Sequence, residues 1–327
     1  MQKEMKPILY IVIPCYEEQE VLHETASRLQ VEMESLISSN KISPDSRVMF
    51  VNDGSTDRTW PIICELHEKN PLFSGVNLSR NRGHQNALLA GLMTAKDRAD
   101  MVISMDADLQ DDINAIHAMV DKFYEGCDIV YGVRSSRQKD TFFKRFTAEG
   151  FYHAMNFLGA DTVFNHADYR LMSKRALEGL EQFQEVNLFL RGIVPMIGYK
   201  TGVVEYERGE RFAGESKYPL KKMLAFAMEG ITSLSTKPLR YITGLGFLIF
   251  AVSILMLIYF IARWAVGGTV AGWASVICSV WAIGGLILLA IGVIGEYTGK
   301  IYMETKARPR FIIQDILDDS KTVEKQV

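Results

Sequence analysis

The sequence has little cysteine and no excess of charge of either sign. Its 327 residues include four cysteines, which lie far apart and form no C-x-x-C pair. This pattern argues against a zinc ribbon or a small disulfide scaffold and fits a reducing compartment. The 36 lysines and arginines are balanced by 39 aspartates and glutamates, giving a formal net charge of -3. Because proteins that bind nucleic acid usually carry a basic excess, the composition predicts no nucleic-acid partner.

The sequence also lacks the common glycine-rich phosphate loops. Neither G-x-G-x-x-G nor G-x-x-x-x-G-K-[ST] follows any of its short apolar runs, so a bound phosphate would have to be met by a metal ion and by side chains. An EF-hand loop starting at Asp106 is excluded as well, because its sixth and twelfth positions would be Asp111 and His117 instead of glycine and glutamate.

Two long runs without a charged residue lie near the C-terminus, at 241–262 and 264–295, separated by Arg263. Each is long enough to cross a bilayer, which needs about 20 apolar residues. The competing interpretation is a pair of helices buried in a soluble core, although such helices seldom run this long without charge. The short segment 267–269 between the runs predicts a hairpin of two transmembrane helices.

Basic residues flank the outer ends of this hairpin and predict its orientation. They are Lys217, Lys221, Lys222, Lys237 and Arg240 before it, and Lys300, Lys306, Arg308 and Arg310 after it. By the positive-inside rule, both termini and the N-terminal region are expected in the cytoplasm, in a multi-pass protein of the cell membrane. No cleavable signal peptide is predicted, because the first apolar run, 8–13, is too short and ends at Pro14.

The segment 218–239, just before the hairpin, has apolar residues at helical spacing. They are Leu220, Leu224, Ala227, Ile231 and Leu234. The pattern fits an amphipathic helix at the membrane interface, and it fits equally a helix packed on the soluble region. The adjacent hairpin favours the interface.

The first two hundred residues predict an α/β domain with a mostly parallel sheet. Short apolar, β-branched runs lie at 8–13, 47–51, 75–78, 101–105 and 128–131. Helical patterns separate the early runs, which is typical of parallel βαβ units. Ligands of such sheets bind at the carboxyl ends of the strands, and the residues that follow these runs are unusually polar.

Two of these polar segments suggest a site for a nucleotide-sugar. Asp106 and Asp108 follow an apolar run and offer carboxylate oxygens suited to Mg²⁺ or Mn²⁺, which could neutralise a diphosphate. Alone, an Asp-x-Asp pair is more often solvated loop charge. Asp53 follows another run, where it could either cap a helix or accept a hydrogen bond from a ribose or base. Their combination favours the nucleotide-sugar interpretation.

Seven segments, in this order along the chain, resemble a known family. They are IPCYEE (13–18), VNDGSTD (51–57), DADLQD (106–111), YGVR (131–134), FKR (143–145), ADYRLM (167–172) and RFAGESKY (211–218). The first three are similar to family 2 glycosyltransferases of the GT-A fold. The later four, followed by a membrane hairpin, resemble the polyprenyl-phosphate glycosyltransferases, which include dolichyl-phosphate mannose synthases and bacterial undecaprenyl-phosphate sugar transferases.

The resemblance implies an α/β fold of GT-A type, a mixed and mostly parallel sheet flanked by helices, in a cytoplasmic domain at 1–217. The interfacial segment 218–239, two transmembrane helices at 240–296 and a cytoplasmic C-terminal tail at 297–327 would follow. The implied reaction is inverting transfer of a sugar from a nucleotide-sugar, with UDP favoured over GDP, to undecaprenyl phosphate or another polyprenyl phosphate. The product would be a lipid-linked sugar donor for modification of cell-envelope glycans.

The resemblance also implies roles for individual residues, matched motif by motif. Pro14, Tyr16, Glu18 and Asp53 with Asp106 would hold the nucleotide; Asp106, Asp108 and Gln110 would organise Mg²⁺ or Mn²⁺; Arg134 and Arg145 would meet the lipid phosphate; and Arg211 and Lys217 would contact phosphates from the juxtamembrane loop. Asp108 and Asp168 would be the catalytic carboxylates, with Asp168 near the reacting sugar as either a base or an orienting group. The chain departs from the family pattern at Glu17, Asp112 and Ala167, where Asn, Pro and Gly are common.

Three other functions fit parts of the pattern. A membrane phosphatase with a D-x-D-x-[TV] motif would need Thr or Val where Gln110 stands. A processive polysaccharide synthase would carry Q-x-x-R-W, whereas Phe260 takes the place of the Gln before Arg263 and Trp264. A non-catalytic membrane scaffold would be expected to have lost the acidic residues that this chain retains.

The expected partners follow from the same features. They are a nucleotide-sugar, a polyprenyl phosphate and the membrane. Glycines in the second apolar run predict a homo-oligomer, because small residues allow close helix packing; they are Gly284, Gly285, Gly292 and Gly295. A separate flippase is also expected, because two spans hardly form a translocation path. A downstream glycosyltransferase is expected to use the lipid-linked sugar.

Overall fold

The computed structural model describes residues 6–134, 166–207, 235–266 and 272–318. The chain forms two compact units. The first comprises Met1–Glu149, Thr162–Tyr218 and Pro309–Val327, and the second comprises Gly150–Asp161 and Pro219–Arg308. Arg145, Arg211, Lys217 and the predicted interfacial helix up to residue 234 lie outside the described residues.

An eight-stranded sheet organises the first unit. Its strands are β1 (Leu9–Cys15), β2 (Arg47–Asn52), β3 (Phe73–Leu78), β4 (Met101–Ser104), β5 (Ile129–Arg134), β6 (His166–Ser173), β7 (Thr201–Tyr206) and β8 (Ile313–Leu317), in the order β7-β5-β6-β4-β1-β2-β3-β8. β6 and β8 run antiparallel to their neighbours, and the remaining pairs are parallel. The five predicted runs correspond to β1 to β5, so the mixed, mostly parallel sheet is confirmed.

Helices cover both faces of this sheet. They are α1 (Leu22–Ser38), α2 (Thr59–Lys69), α3 (His84–Lys96), α4 (Ala115–Tyr124), α5 (Lys174–Glu181) and α6 (Leu190–Met196). One core layer contains α1, α2 and α4 with Leu9, Ile11 and Ile13 of β1. The other contains α3, α5 and α6 with Tyr10 and Val12. Because successive strand side chains point to opposite faces, a strand covered on both sides is apolar at every position, as β1 is.

The C-terminal strand β8 lies in a segment that was expected to be a tail outside the catalytic domain. The sequence predicts a cytoplasmic tail at 297–327, whereas β8 pairs with β3 and belongs to the first unit. The segment IQDIL is short and carries two polar residues, so nothing in its own pattern distinguishes it from a loop. Its strand conformation depends on β3, which lies more than two hundred residues earlier and would otherwise be an exposed edge.

The second unit contains two long apolar helices, α7 (Lys237–Ala265) and α8 (Trp273–Thr305). By length and composition, Lys237–Met256 and Ile283–Thr305 could each cross a membrane. Large apolar side chains on them are exposed, for example Phe247 at 74% and Leu288 at 71%. A pair of buried core helices would hide such side chains, so this alternative is wrong for the described residues. α8 also continues nine residues beyond the predicted end at 296, in a region that contains both polar and apolar residues.

Candidate active site

The carboxyl ends of β1 to β4 bring the predicted donor residues to one edge of the sheet. Pro14 is the penultimate residue of β1 and is buried, whereas Tyr16 stands just beyond the strand with 45% of its surface exposed. Asp53 follows β2 directly, and Asp106 and Asp108 follow β4. The parallel pairing of these strands therefore places the loops that carry the donor motifs side by side.

Hydrogen bonds join the loop after β1 to the loop after β2. The backbone N–H of Glu17 donates to Ser55 Oγ over 3.0 Å, and the N–H of Glu18 donates to Thr59 Oγ1 over 3.0 Å. Thr56 Oγ1 donates to Glu17 Oε1 over 3.2 Å. Glu17, which departs from the family pattern, therefore uses both its backbone and its side chain to hold the two loops together.

Asp53 connects the loop after β2 to the loop before α3. Its Oδ1 accepts from the N–H of Arg82 over 2.7 Å, and its Oδ2 accepts from the N–H of Gly83 over 2.9 Å. The side chain is buried, which raises the pKa of Asp53, while these two N–H groups and the charges of His84 and Arg82 oppose the rise. Each carboxylate oxygen keeps a second lone pair, so the position remains compatible with the predicted nucleotide contact.

Gly54 allows these two loops to approach each other. Its φ is +64°, and a Cβ at this position would lie 2.4 Å from the backbone N of Asn81. A left-handed conformation and a contact this close to backbone leave room only for glycine. The glycine thereby fixes the distance between the loop of Asp53 and the loop of residues 79–83.

Two carboxylates, Asp106 and Asp168, meet at His84. Nε2 of His84 lies 3.6 Å from Asp106 Oδ1 and 3.7 Å from Asp168 Oδ2. Burial raises the pKa of Asp106 to about 6; His84 opposes this rise, and the negative charges of Asp111, Asp168 and Asp108 add to it. The edge of the sheet beside β4 therefore concentrates negative charge that a cation would relieve.

The loop after β4 supplies the predicted metal ligands. Asp108 Oδ1 accepts from the N–H of Gln110 over 3.2 Å, and Leu109 between them has a φ of +56°. A left-handed conformation is strained for leucine by about 1–2 kcal/mol, and such strain clusters at functional loops. Within the described residues, no group of three or more His, Cys, Asp or Glu side chains forms a complete metal cluster. Mg²⁺ sites commonly combine one or two carboxylates with phosphates of the substrate, and the pair Asp106 and Asp108 fits that pattern.

Asp168 is held between two arginines. Its Oδ1 accepts from Arg170 Nη2 over 2.6 Å, and its Oδ2 accepts from Arg191 Nη2 over 3.0 Å. Burial by itself would raise the pKa of Asp168, but the guanidinium groups of Arg191 and Arg170 outweigh it and hold the pKa well below its usual range. Asp168 is therefore an ionised anion and a weak proton acceptor in this arrangement.

Arg134 lies at the end of β5, as predicted for a phosphate-binding residue, and an acidic side chain lies close to it. Its Nη2 lies 3.7 Å from Asp111 Oδ1, and its Nε donates to Tyr206 Oη over 3.4 Å. Tyr206 Oη in turn donates to Asp111 Oδ1 over 2.5 Å. The Arg134 side chain is 28% exposed, so the guanidinium remains within reach of a ligand at the surface.

A cavity of about 610 Å³ opens between α1 and the loop after β4. Its lining includes four carboxylates against one arginine; these residues are Glu32, Asp111, Asp112, Glu207 and Arg28. Such a lining disfavours an anionic ligand.

Four charged residues of the site were not predicted from the sequence as functional: His84, Asp111, Arg170 and Arg191. His84 directly follows the polar segment 79–83, so the position after β3 was a usable signal. Asp111 belongs to the DADLQD motif and could have been found there. Arg191 lies on α6, outside any strand end, and only the fold brings it to Asp168.

The chain is similar over much of its length to known glycosyltransferases. Residues 10–180 match the family model described as glycosyl transferase family 2. Uncharacterized glycosyltransferase YkoT of Bacillus subtilis (strain 168) is 55% identical over 311 residues, covering 95% of this chain and 92% of its own length. The bactoprenol glucosyl transferase of Shigella phage SfV is 39% identical over 311 residues, covering 93% of this chain and 97% of its own.

A solved structure of low similarity is the glucosyl-3-phosphoglycerate synthase of Mycobacterium tuberculosis in complex with Mn²⁺, UDP-glucose and phosphoglyceric acid. Its TM-score is 0.46 and its sequence identity 16%, over 71% of this chain and 79% of its own.

Proposed function

We propose a reaction for this chain, which belongs to glycosyl transferase family 2. In this proposal it moves a sugar from a UDP-sugar to a polyprenyl phosphate. Membership of this family makes the chain a glycosyltransferase, which is at odds with the phosphatase and scaffold alternatives. The donor nucleotide, the acceptor and the direction of the membrane helices are the proposed parts.

The state of Asp168 is the observation that carries the choice of acceptor. A sugar hydroxyl must lose a proton to attack, and a general base works best with a pKa near the working pH. Asp168, fixed by Arg170 and Arg191, has its pKa held well below its usual range. A phosphate oxygen is already an anion at neutral pH and needs no such base. Asp106, whose pKa of about 6 would suit a base, is assigned to the metal. The arrangement therefore favours a phosphate acceptor, with Asp168 as an orienting group, over the hydroxyl acceptor of a polysaccharide synthase.

Two further observations support a lipid form of that phosphate. The helices α7 and α8 are long and apolar enough to cross a membrane. A relative of 39% identity over 93% of the chain is a bactoprenol glucosyl transferase. We therefore take undecaprenyl phosphate as the acceptor and glucose as the first sugar to test.

The site residues divide the work in the proposed reaction. Pro14, Tyr16, Glu18 and Asp53 would hold the nucleoside, Asp106, Asp108 and Gln110 would hold Mg²⁺ or Mn²⁺, and Arg134, Arg145, Arg211 and Lys217 would meet the phosphates of the diphosphate and the lipid. The metal, when bound, would neutralise the leaving diphosphate. His84 and Arg191 join this set, because both contact the Asp168 carboxylate.

The proposed setting is the cell membrane, with the catalytic unit and both termini in the cytoplasm. Protease added to sealed vesicles whose cytoplasmic face points outward tests this topology. Termini that stay protected from the protease would contradict it. Homo-oligomers, a separate flippase and a downstream glycosyltransferase remain proposals. A monomer by native mass measurement in lipid, or product transport by this protein alone in liposomes, would count against the first two.

The direct experiment incubates the purified protein in lipid with Mg²⁺ or Mn²⁺, undecaprenyl phosphate and a panel of UDP-sugars, and follows sugar entering the organic phase. We expect metal-dependent transfer from one donor and its loss in Asp108→Ala. Asp97→Ala is the matched control, because Asp97 is 72% exposed at the end of α3. Transfer only to a soluble oligosaccharide would contradict the acceptor, and transfer only from GDP-sugars would contradict the donor.

A further inference from the structure

A chain of side-chain hydrogen bonds links the C-terminal strand to the loops of the donor site. Asn77 Nδ2 donates to Asp315 Oδ2 over 3.0 Å, and Asn52 Nδ2 donates to Asn77 Oδ1 over 2.8 Å. Asn52 Oδ1 then accepts from the N–H of Ser55 over 3.3 Å. Ser55 Oγ accepts from the N–H of Glu17. The chain of contacts thus runs from β8 across β3 and β2 to the loop after β1.

Strand register explains why these side chains meet. Asn52 of β2 is paired with Asn77 of β3, and Asn77 is paired with Asp315 of β8. Paired residues of adjacent strands point to the same face, so the three side chains form a row across the sheet. Asn52 and Asn77 are only 2% and 8% exposed, so their amides depend on protein partners, whereas Asp315 at the end of the row is exposed.

The Asp315 carboxylate at the end of this row determines which way the amide groups of Asn77 and Asn52 point. A carboxylate only accepts hydrogen bonds, so Asn77 must turn its NH₂ group toward Asp315. Its carbonyl oxygen then faces Asn52, which must present its own NH₂ group. The carbonyl oxygen of Asn52 is left to accept from the N–H of Ser55. Without an acceptor at 315, either amide could turn around, and Ser55 would lose a fixed partner.

We propose that Asp315 is a positioning residue for the nucleotide donor, acting through Asn77, Asn52 and Ser55 on the loop after β1. The inference rests on the proposed function for the identity of the ligand, a nucleoside diphosphate. Ser55 ties down Glu17, which lies between Tyr16 and Glu18 of the proposed nucleotide contacts. The segment after the membrane helices, which sequence analysis treats as a tail, thus becomes part of the donor site.

The same strand offers a matched control. Asp318, directly after β8, pairs with Arg98 and accepts from Tyr10 Oη over 3.5 Å. Its side chain is only 1% exposed, so it anchors the end of β8 at least as firmly as Asp315 does. Tyr10 lies near the amino end of β1 and Arg98 just before β4, whereas Ser55 follows the carboxyl end of β2. Loss of Asp318 is therefore expected to weaken the docking of β8 while Asp315, Asn77 and Asn52 are all retained.

The experiment compares Asp315→Ala, Asp315→Asn and Asp318→Ala in the full-length protein. We expect Asp315→Ala to raise the KM for the UDP-sugar roughly three- to tenfold, the effect of one lost hydrogen bond, with kcat within about twofold. Asp315→Asn keeps an acceptor oxygen but can also turn an NH₂ group toward Asn77, so its KM should lie between the values of the wild type and Asp315→Ala. Asp318→Ala should lower the melting temperature at least as much as Asp315→Ala, with an unchanged KM.

Hydrogen exchange of the wild type and the same variants, without substrate, gives a second readout. The amides of residues 15–19 and 52–58 should exchange faster in Asp315→Ala than in Asp318→Ala or Asp315→Asn. Equal exchange in the two alanine variants, or equal changes in KM, would overturn the proposal, because strand docking alone would then explain both. A wild type that transfers no sugar would refute the proposed function, and the exchange data would still decide whether Asp315 orders these loops.

Discussion

The nucleotide side of the site, formed by the loops after β1 and β2, and the reacting side, around Asp168, are stabilised by different kinds of interaction. On the nucleotide side, the loops after β1 and β2 are joined mainly by hydrogen bonds from backbone N–H groups to hydroxyls, as at Ser55 and Thr59. On the reacting side, ionised groups hold one another, with Asp168 between Arg170 and Arg191. A neutral hydrogen bond contributes about 1 kcal/mol, whereas removal of one partner from a buried ion pair costs about 3–5 kcal/mol. The reacting side should therefore be far less tolerant of substitution.

The largest effect is expected on the reacting side, from Asp168→Ala. This change leaves Arg170, whose side chain is 2% exposed, without its carboxylate partner. We expect the free energy of unfolding to fall by about 3–5 kcal/mol, and sugar transfer to be lost. Thermal denaturation beside Asp97→Ala checks the stability part. A melting temperature equal to that of the control would show that the arginines do not depend on Asp168.

The pH dependence of stability sharpens the same point. Because the folded pKa of Asp168 lies below its unfolded value of about 3.9, its ionisation stabilises the protein fully above that value. This contribution is lost as the pH falls from about 4 through the depressed folded pKa. The difference in melting temperature between the wild type and Asp168→Asn should thus be largest near pH 5 and shrink below about pH 4. It should also be smaller above about pH 6, because Asp106 ionises there and repels Asp168. A difference that shrinks as the pH falls from 7 to 5 would contradict the proposed state of Asp168.

On the nucleotide side, Gly54→Ala should have the largest effect. The new Cβ would meet the backbone of Asn81 at 2.4 Å, and alanine would be strained at a φ of +64°. We expect a loss of about 2 kcal/mol in stability and a higher KM for the nucleotide-sugar. Gly126→Ala is the control: its φ is +82°, the nearest atom to a Cβ there is Lys200 Nζ at 3.7 Å, and it lies between α4 and β5, away from the donor loops. Equal KM values in the two variants would show that the spacing of the loops does not matter.

The two sides also differ in how far the sequence predicts them. Pro14, Tyr16, Asp53 and Asp106 lie at or just beyond the ends of apolar runs, and the runs correspond to β1, β2 and β4. Local motifs suffice there because each loop follows its own strand. The partners of Asp168 are less accessible to such reasoning, because Arg191 comes from α6, and β6 is antiparallel and was not predicted.

The same contrast explains the C-terminal strand and the four unpredicted charged residues. β8 is defined by pairing with β3 and not by its own pattern. His84 follows a predicted strand, yet its contact with both Asp106 and Asp168 requires the positions of β4 and β6. Pairing between distant segments is a property of the folded chain, so the sequence predicts which loops carry ligands better than which charges meet.

The smallest effect is expected from Thr59→Val, which removes one hydroxyl of the nucleotide side. Thr59 is fully buried, and its Oγ1 accepts from the N–H of Glu18. Valine keeps the shape but leaves that N–H without its partner, at a cost of about 1 kcal/mol. We expect an approximately two- to fivefold higher KM for the nucleotide-sugar and an unchanged kcat, because Glu18 lies in the loop that would hold the nucleoside. Thr94→Val, which removes a hydroxyl bonded within α3, is the control. A kcat that falls with constant KM would place Thr59 on the reacting side and remove the distinction between the two halves.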